Sequence, residues 1–212
     1  MRVLCGFCLS LALVLPAGAH RLDEYLQATR LAIYMGRVDV EIDLTPGVAV
    51  ASKVFGFIDT NRDGSISEAE GETYARDVIR SAVLKADGAA VPLTFEECRF
   101  PTLEEMGEGI GTIRLRARAA IPAAALGWHQ ITFLNMHRPE LSVYLVNALV
   151  PENMRIQIAE QRRDVAQHGI TLDYRVTGDG PEDRTLALFL GLGMAGLLGL
   201  RVRISRRSSS IG

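Results

Sequence analysis

The sequence predicts an α+β fold: a mostly antiparallel, β-sandwich-like domain with an inserted helix–loop–helix, followed by one C-terminal transmembrane helix. Three observations carry this expectation. Many segments alternate apolar and polar residues with a period of two and are separated by Gly, Pro and Asn/Asp signals, the pattern of half-buried strands. Residues 48–83 interrupt that rhythm with helical spacing on both sides of an oxygen-rich loop. Residues 185–200 form an uncharged apolar run bounded by Arg184 and Arg201. The composition, 48% hydrophobic and 23% charged, is that of a globular chain and excludes wholesale disorder or a collagen-like repeat.

Residues 1–19 read as a secretory signal peptide. Arg2 is a short positive start, Val3 to Leu15 is an apolar run, and Ala17-Gly18-Ala19 supplies small residues before a cut. Cys5 and Cys8 leave with it, so the mature chain keeps only Cys98 and no internal disulfide. The exported β-rich domain is expected over 20–177. It opens with a hairpin in which Leu31 and Ile33, then Val38, Val40, Ile42 and Leu44, repeat every second residue around a turn at Met35-Gly36-Arg37. Residues 48–58 predict a short helix with Val50, Val54, Phe57 and Ile58 on one side. A second helix is expected over Glu68–Val83, with Tyr74, Val78 and Ile79 as its apolar stripe. Further strands are expected at 83–87, 91–99, 110–120, 129–136, 141–149, 154–161 and 169–177.

Residues 178–184 form a linker, 185–204 the transmembrane helix and 205–212 a basic cytoplasmic tail. The apolar run of 185–200 is slightly short for a bilayer, but arginines at its ends can snorkel, and Val202 and Ile204 add a turn. Ala187, Gly191, Ala195 and Gly199 line one stripe of this helix. Six of the 23 Lys and Arg residues lie in the two ends of the chain. The middle, 20–183, therefore holds 17 bases against all 25 acids, a net charge of −8. That acidity argues against nucleic-acid binding, which needs a basic face.

The residues with specific chemistry are Asp59-Thr60-Asn61-Arg62-Asp63-Gly64-Ser65-Ile66-Ser67-Glu68-Ala69-Glu70. Calcium is a hard cation that takes six to eight oxygens. Asp59, Asn61 and Asp63 offer side-chain oxygens at the first, third and fifth positions. Ser65 offers its carbonyl, Ser67 acts directly or through water, and Glu70 closes the cage with both oxygens. Gly64 stands where the chain must turn sharply, and Ile66 points to the apolar interior. An Asx turn followed by a capping box, with Ser67 at the N-cap and Glu70 at N3, would explain those two residues but not the three donors before Gly64. The pattern resembles the EF-hand family over residues 48–83, which implies bound Ca2+. EF-hands usually pair, and this chain has one loop. An affinity near about 10⁻⁴–10⁻³ M, common outside the cytoplasm, would make the ion a structural ligand rather than a signal.

The C-terminus also resembles a degenerate PEP-CTERM sorting anchor. Thr185-Leu186-Ala187-Leu188, Gly191 to Gly193, Ala195-Gly196-Leu197 and Arg206-Arg207 carry the likeness, with Pro181-Glu182-Asp183 in place of Pro-Glu-Pro. The Ala19-His20 start, Leu22-Asp23-Glu24-Tyr25, Glu41-Ile42-Asp43-Leu44-Thr45 and the Asp-x-Asn-x-Asp-Gly loop resemble exported bacterial domains. Such domains precede HupE/UreJ-like or nickel/cobalt-transporter membrane regions. That resemblance implies a membrane-protein partner and an accessory role beside a metal transporter.

Other candidates carry less. His20, as a new N-terminus, could chelate copper, but no spacing ties it to His129, His137 or His168. Arg114, Arg116 and Arg118 alternate with apolar residues, giving one cationic strand face that is either solvated or a docking strip for acidic groups. Cys98 follows Glu96-Glu97, which disfavours its thiolate. No nucleophile elbow, phosphate loop or zinc-protease helix is present, so no enzyme is expected. The expected function is that of a calcium-binding, membrane-anchored periplasmic module, structural or interactive, with the inner membrane as its site.

Overall fold

The computed structural model describes residues 23–178. In chain order the elements are β1 (Tyr25–Tyr34), β2 (Arg37–Pro46), α1 (Val48–Ile58), α2 (Glu68–Arg80), β3 (Ala82–Ala86), β4 (Ala89–Val91) and β5 (Thr94–Arg99). They continue with α3 (Leu103–Gly107), β6 (Ile113–Ala120), β7 (Gly127–Asn135), β8 (Ser142–Ala148), β9 (Ile156–Arg163) and β10 (Gly169–Val176). The strands form two five-stranded sheets, one ordered β5-β6-β2-β1-β8 and the other β4-β3-β7-β10-β9. Pairings are antiparallel except for β1 with β8, which run parallel from Tyr25 beside Ser142 to Leu31 beside Ala148.

Most strands form where the alternation placed them, because those strands have one face to bury; the expected strand at 91–99 is instead the short β4 and the separate β5. β1, β2, β6 and β10 alternate without a break between buried and more exposed positions. Leu31, Ile33, Val40, Ile42, Ile113 and Leu115 of the first sheet join Ile131, Phe133, Ile170 and Leu172 of the second in one hydrophobic core. Each such aliphatic side chain contributes about 1.5–3 kcal/mol by leaving water. The chain passes repeatedly from one sheet to the other, an arrangement compatible with a β sandwich.

The expected α+β class is overturned: among the described residues ten strands dominate and three helices are appendages on a β core. The inserted helix–loop–helix is corrected as well. α1 packs chiefly on α3 and α2 chiefly on β5, with little contact between α1 and α2, so they are not the mutually packed pair of an EF-hand. The physical reason is that each helix has its own strand or helix to cover, and that burial outweighs their pairing. α1 buries Val50, Ala51, Val54, Phe55 and Ile58, so Phe55 takes the inward place expected of Phe57. α2 stops at Arg80, and Val83 belongs to β3. No helix among the described residues is long and apolar enough to cross a membrane. The signal peptide, His20, the transmembrane helix at 185–204 and the basic tail lie outside the described residues.

A polar seam runs through the interior where β1, β7 and β8 meet. Gln27 donates from Nε2 to the His137 carbonyl at 2.7 Å and to Ser142 Oγ at 2.6 Å. Asn135 Nδ2 donates to Gln27 Oε1 at 2.8 Å, and the Tyr144 hydroxyl donates to the His137 carbonyl at 2.6 Å. The Tyr74 hydroxyl of α2 lies 2.9 Å from that of Tyr25 and 3.1 Å from His137 Nε2. No buried side-chain nitrogen or oxygen among the described residues lacks a partner. The seam ties α2, and with it the oxygen-rich loop, to the sheets.

Candidate metal-binding loop

The loop connects the end of α1 to the start of α2, and each residue's place follows from those two ends. Asp59 is the C-cap of α1 and is only 6% exposed. Its two carboxylate oxygens accept from the Asp63 amide at 3.1 Å and the Gly64 amide at 3.0 Å, folding the loop back on itself. That fold needs left-handed backbone at Arg62 (φ 62°) and Gly64 (φ 84°), and only glycine takes such a φ without strain. Asn61 Oδ1 accepts from the Asp63 amide at 2.9 Å, and its Nδ2 donates to Asp63 Oδ2 at 2.8 Å. Asp63 Oδ1 accepts from both the amide and the hydroxyl of Ser65, at 2.8 and 2.7 Å. Ile66 turns inward and packs against the core, as its position in the pattern implies.

Ser67 is the N-cap of α2 and forms a capping box with Glu70. Glu70 Oε2 accepts from the Ser67 hydroxyl at 2.7 Å and the Ser67 amide at 3.1 Å. Its Oε1 reaches the start of the loop, accepting from the Thr60 amide at 2.8 Å, the Thr60 hydroxyl at 2.9 Å and the Asn61 amide at 3.1 Å. Glu70 thus joins the first and last turns of the loop. The Ser67 hydrogen bonds, aided by the amides of Ser67 and Asn61, hold its carboxyl down at about 2. Asp63 is likewise held below its ordinary value, chiefly by Ser65 and then by Asn61.

The loop therefore brings Asp59, Asn61 and Asp63 together at one end and Ser67 and Glu70 at the other, with Glu70 Oε1 linking the two through the Asn61 amide. Among the described residues no three His, Cys, Asp or Glu side chains converge as a metal group. The carboxylates of Asp59, Asp63 and Glu70 are occupied by the loop's own donors. An EF-hand cage is of a different composition, since it draws on amide, hydroxyl and carbonyl oxygens as well. The donor set present suits calcium: every donor is a hard oxygen, and the turn at Gly64 is already formed.

The other candidates resolve in different ways. The arginines of β6 do not form a free cationic strip. Arg116 pairs with Glu41 at 3.2 Å and Arg118 with Asp39 at 3.2 Å and Glu96 at 3.0 Å, all on flanking strands. Arg114 lines a small cavity with Glu97, Arg99 and Arg116. Cys98 is half-buried, and burial followed by Glu72 and Glu68 pushes its thiol up. His137 is 2% exposed, and burial with the nearby Arg138 drives it down to about 4. His129 meets Asp87 at 2.8 Å through Nδ1 and the Ala125 carbonyl at 2.8 Å through Nε2. Both ring nitrogens thus face acceptors, so the pair favours an imidazolium and lacks the free nitrogen of a general base. Sequence reasoning missed this pair. The Asp87-Gly88 turn signal was visible, but nothing local tied it to His129 across 42 positions.

Comparison with family models, with curated proteins and with solved structures returned no match. The chemistry of the loop rests on its own residues.

Proposed function

We propose that residues 59–70 bind Ca2+ and that the chain is a calcium-stabilised structural or interaction module, exported and anchored to the inner membrane. The observation that carries this is a complete calcium-loop spacing folded with a left-handed Gly64 and with Glu70 linking its two ends. Asp59, Asn61, Asp63 and Glu70 would supply side-chain oxygens, Ser65 its carbonyl and Ser67 a direct or water-mediated contact. The bound ion would supply positive charge to a donor set that includes three carboxylates, Asp59, Asp63 and Glu70. The loop's own donors hold the Asp63 and Glu70 carboxylates ionised and fix the turn, so little ordering remains to oppose binding. Export and anchoring are supported by the composition of the two chain ends.

Calorimetric titration of the full chain with CaCl2 tests the proposal. One saturable site is expected, abolished by Asp59→Ala. Absence of any calcium heat, together with an unchanged melting temperature, would overturn it.

A further inference from the structure

A second feature lies away from the loop, on the outer face of the second sheet. The register of β9 against β10 shifts between Asp173 and Tyr174, so that Asp173 opposes Glu160, Tyr174 opposes Ile158, and Ala159 is left over. Such a bulge bends its strand and re-aims the neighbouring side chains. Beside it lies an open cleft of about 550 Å³, reaching to β7 and the β3–β4 turn. That volume falls in the range of small-molecule sites.

Trp128 lines this cleft, is 66% exposed and is the chain's one tryptophan. A strand that presents an indole to water leaves a large flat apolar surface uncovered. The groups around it are polar and held in place. Asp87 Oδ1 accepts from the Gln130 amide at 2.7 Å, while Oδ2 meets His129. Gln130 Nε2 donates to Asp173 Oδ1 at 2.8 Å. Arg162 bridges Glu160 and Asp173. Asp87 is offset by His129, and Arg162 offsets one of the remaining two acids, so the cleft keeps a slight negative excess.

These properties select a ligand class. Anionic ligands meet carboxylates and are disfavoured. A quaternary ammonium calls for a cage of several aromatic faces, and here a single indole lines the cleft. An uncharged ligand with a flat C–H face and a rim of hydroxyl donors matches both the indole and the carboxylates, whose oxygens keep unused lone pairs. We propose that this cleft binds a neutral oligosaccharide, with a sugar ring stacked on Trp128 and its hydroxyls donating to Asp173, Glu160 and Gln130. The site is independent of the calcium loop.

The single tryptophan makes its own reporter. The full chain is titrated with cellohexaose, xylohexaose, maltohexaose and chitohexaose while indole emission is followed, with calorimetry in parallel. A saturable emission change with at least one of the four is expected. Trp128→Ala should abolish the binding heat, and Gln130→Ala should weaken it roughly fivefold, with the circular dichroism of both variants unchanged. The proposal is overturned if none of the four saturates by about 10 mM, if Trp128→Ala binds as well as the parent chain, or if choline saturates the response where the sugars do not.

Discussion

Under the proposed calcium reading Glu70 would serve two roles whose demands differ, and substitutions can part them. As N3 of the capping box it needs only a hydrogen-bonding head, which glutamine retains. As a calcium ligand it needs charge and two oxygens. Glu70→Gln should therefore keep most of the calcium-free stability and lose calcium affinity by about tenfold or more, while Glu70→Ala should lose both, the cap alone costing about 1 kcal/mol. Urea melts with and without calcium read the difference, and equal calcium affinity in Glu70→Gln and the parent would remove Glu70 from the site. At Gly64 an added Cβ meets nothing within 4 Å, so the penalty of Gly64→Ala is the backbone's alone. At φ 84° that amounts to about 1–2 kcal/mol, visible as a lower denaturation midpoint at unchanged slope.

His137 supplies the pH dependence. Its folded value of about 4 lies below the ordinary imidazole value of about 6.5. Its contribution to stability is thus fully present above about 6.5 and is lost as pH falls toward 4, where the buried ring must charge; the whole effect is on the order of 3 kcal/mol. Nitrogen NMR of the imidazoles should show His137 still neutral at pH 5.5, with His129 protonated because Asp87 raises its value. A His137 midpoint near 6.5 would contradict the buried seam.

At the level of elements, the period-two pattern located the strands that have a face to bury, β1, β2, β6 and β10 most clearly. Shorter and more local features escaped it. β4 and β5 were expected as one strand over 91–99, and the three-residue β4 is too short to show a period. α3 is five residues long and was not foreseen, although Thr102 and Glu105 carry a capping box that was legible in principle. The helices beside the loop were readable as segments, but their mutual packing was not, since nothing local records that α1 would cover α3 and α2 would cover β5. The caps give a direct check. Ser67→Ala removes the acceptor for the Glu70 amide and should cost about 1 kcal/mol in calcium-free thermal melts. No loss at all would mean that Glu70 holds the helix start without it.

For the molecule as a whole, calcium should act as a ligand of the folded state. At ten times its dissociation constant the ion adds about 1.4 kcal/mol by mass action, which for a domain of this size raises the melting temperature by roughly 3–6 °C. Differential scanning calorimetry across a calcium series should follow that logarithmic rise, and magnesium at equal concentration should not reproduce it, because it resists dehydration. The twelve loop residues were legible because their spacing is local. The cleft around Trp128 was not, because Asp87, Gln130 and Asp173 come from three separate strands or turns.

The parallel union of β1 with β8 carries a temporal consequence. Gln27 and Ser142, which touch across that union, stand 115 positions apart. A ribosome must therefore release most of the domain before the opening strand acquires its second neighbour. Until then the leading hairpin has one lateral edge bare and its seam incomplete. Closure over so long a span is slow, in the range of milliseconds to seconds for β topologies. A nascent chain that delays its own locking in this way stays open for longer, the state that the proposed export would need if the chain is threaded unfolded.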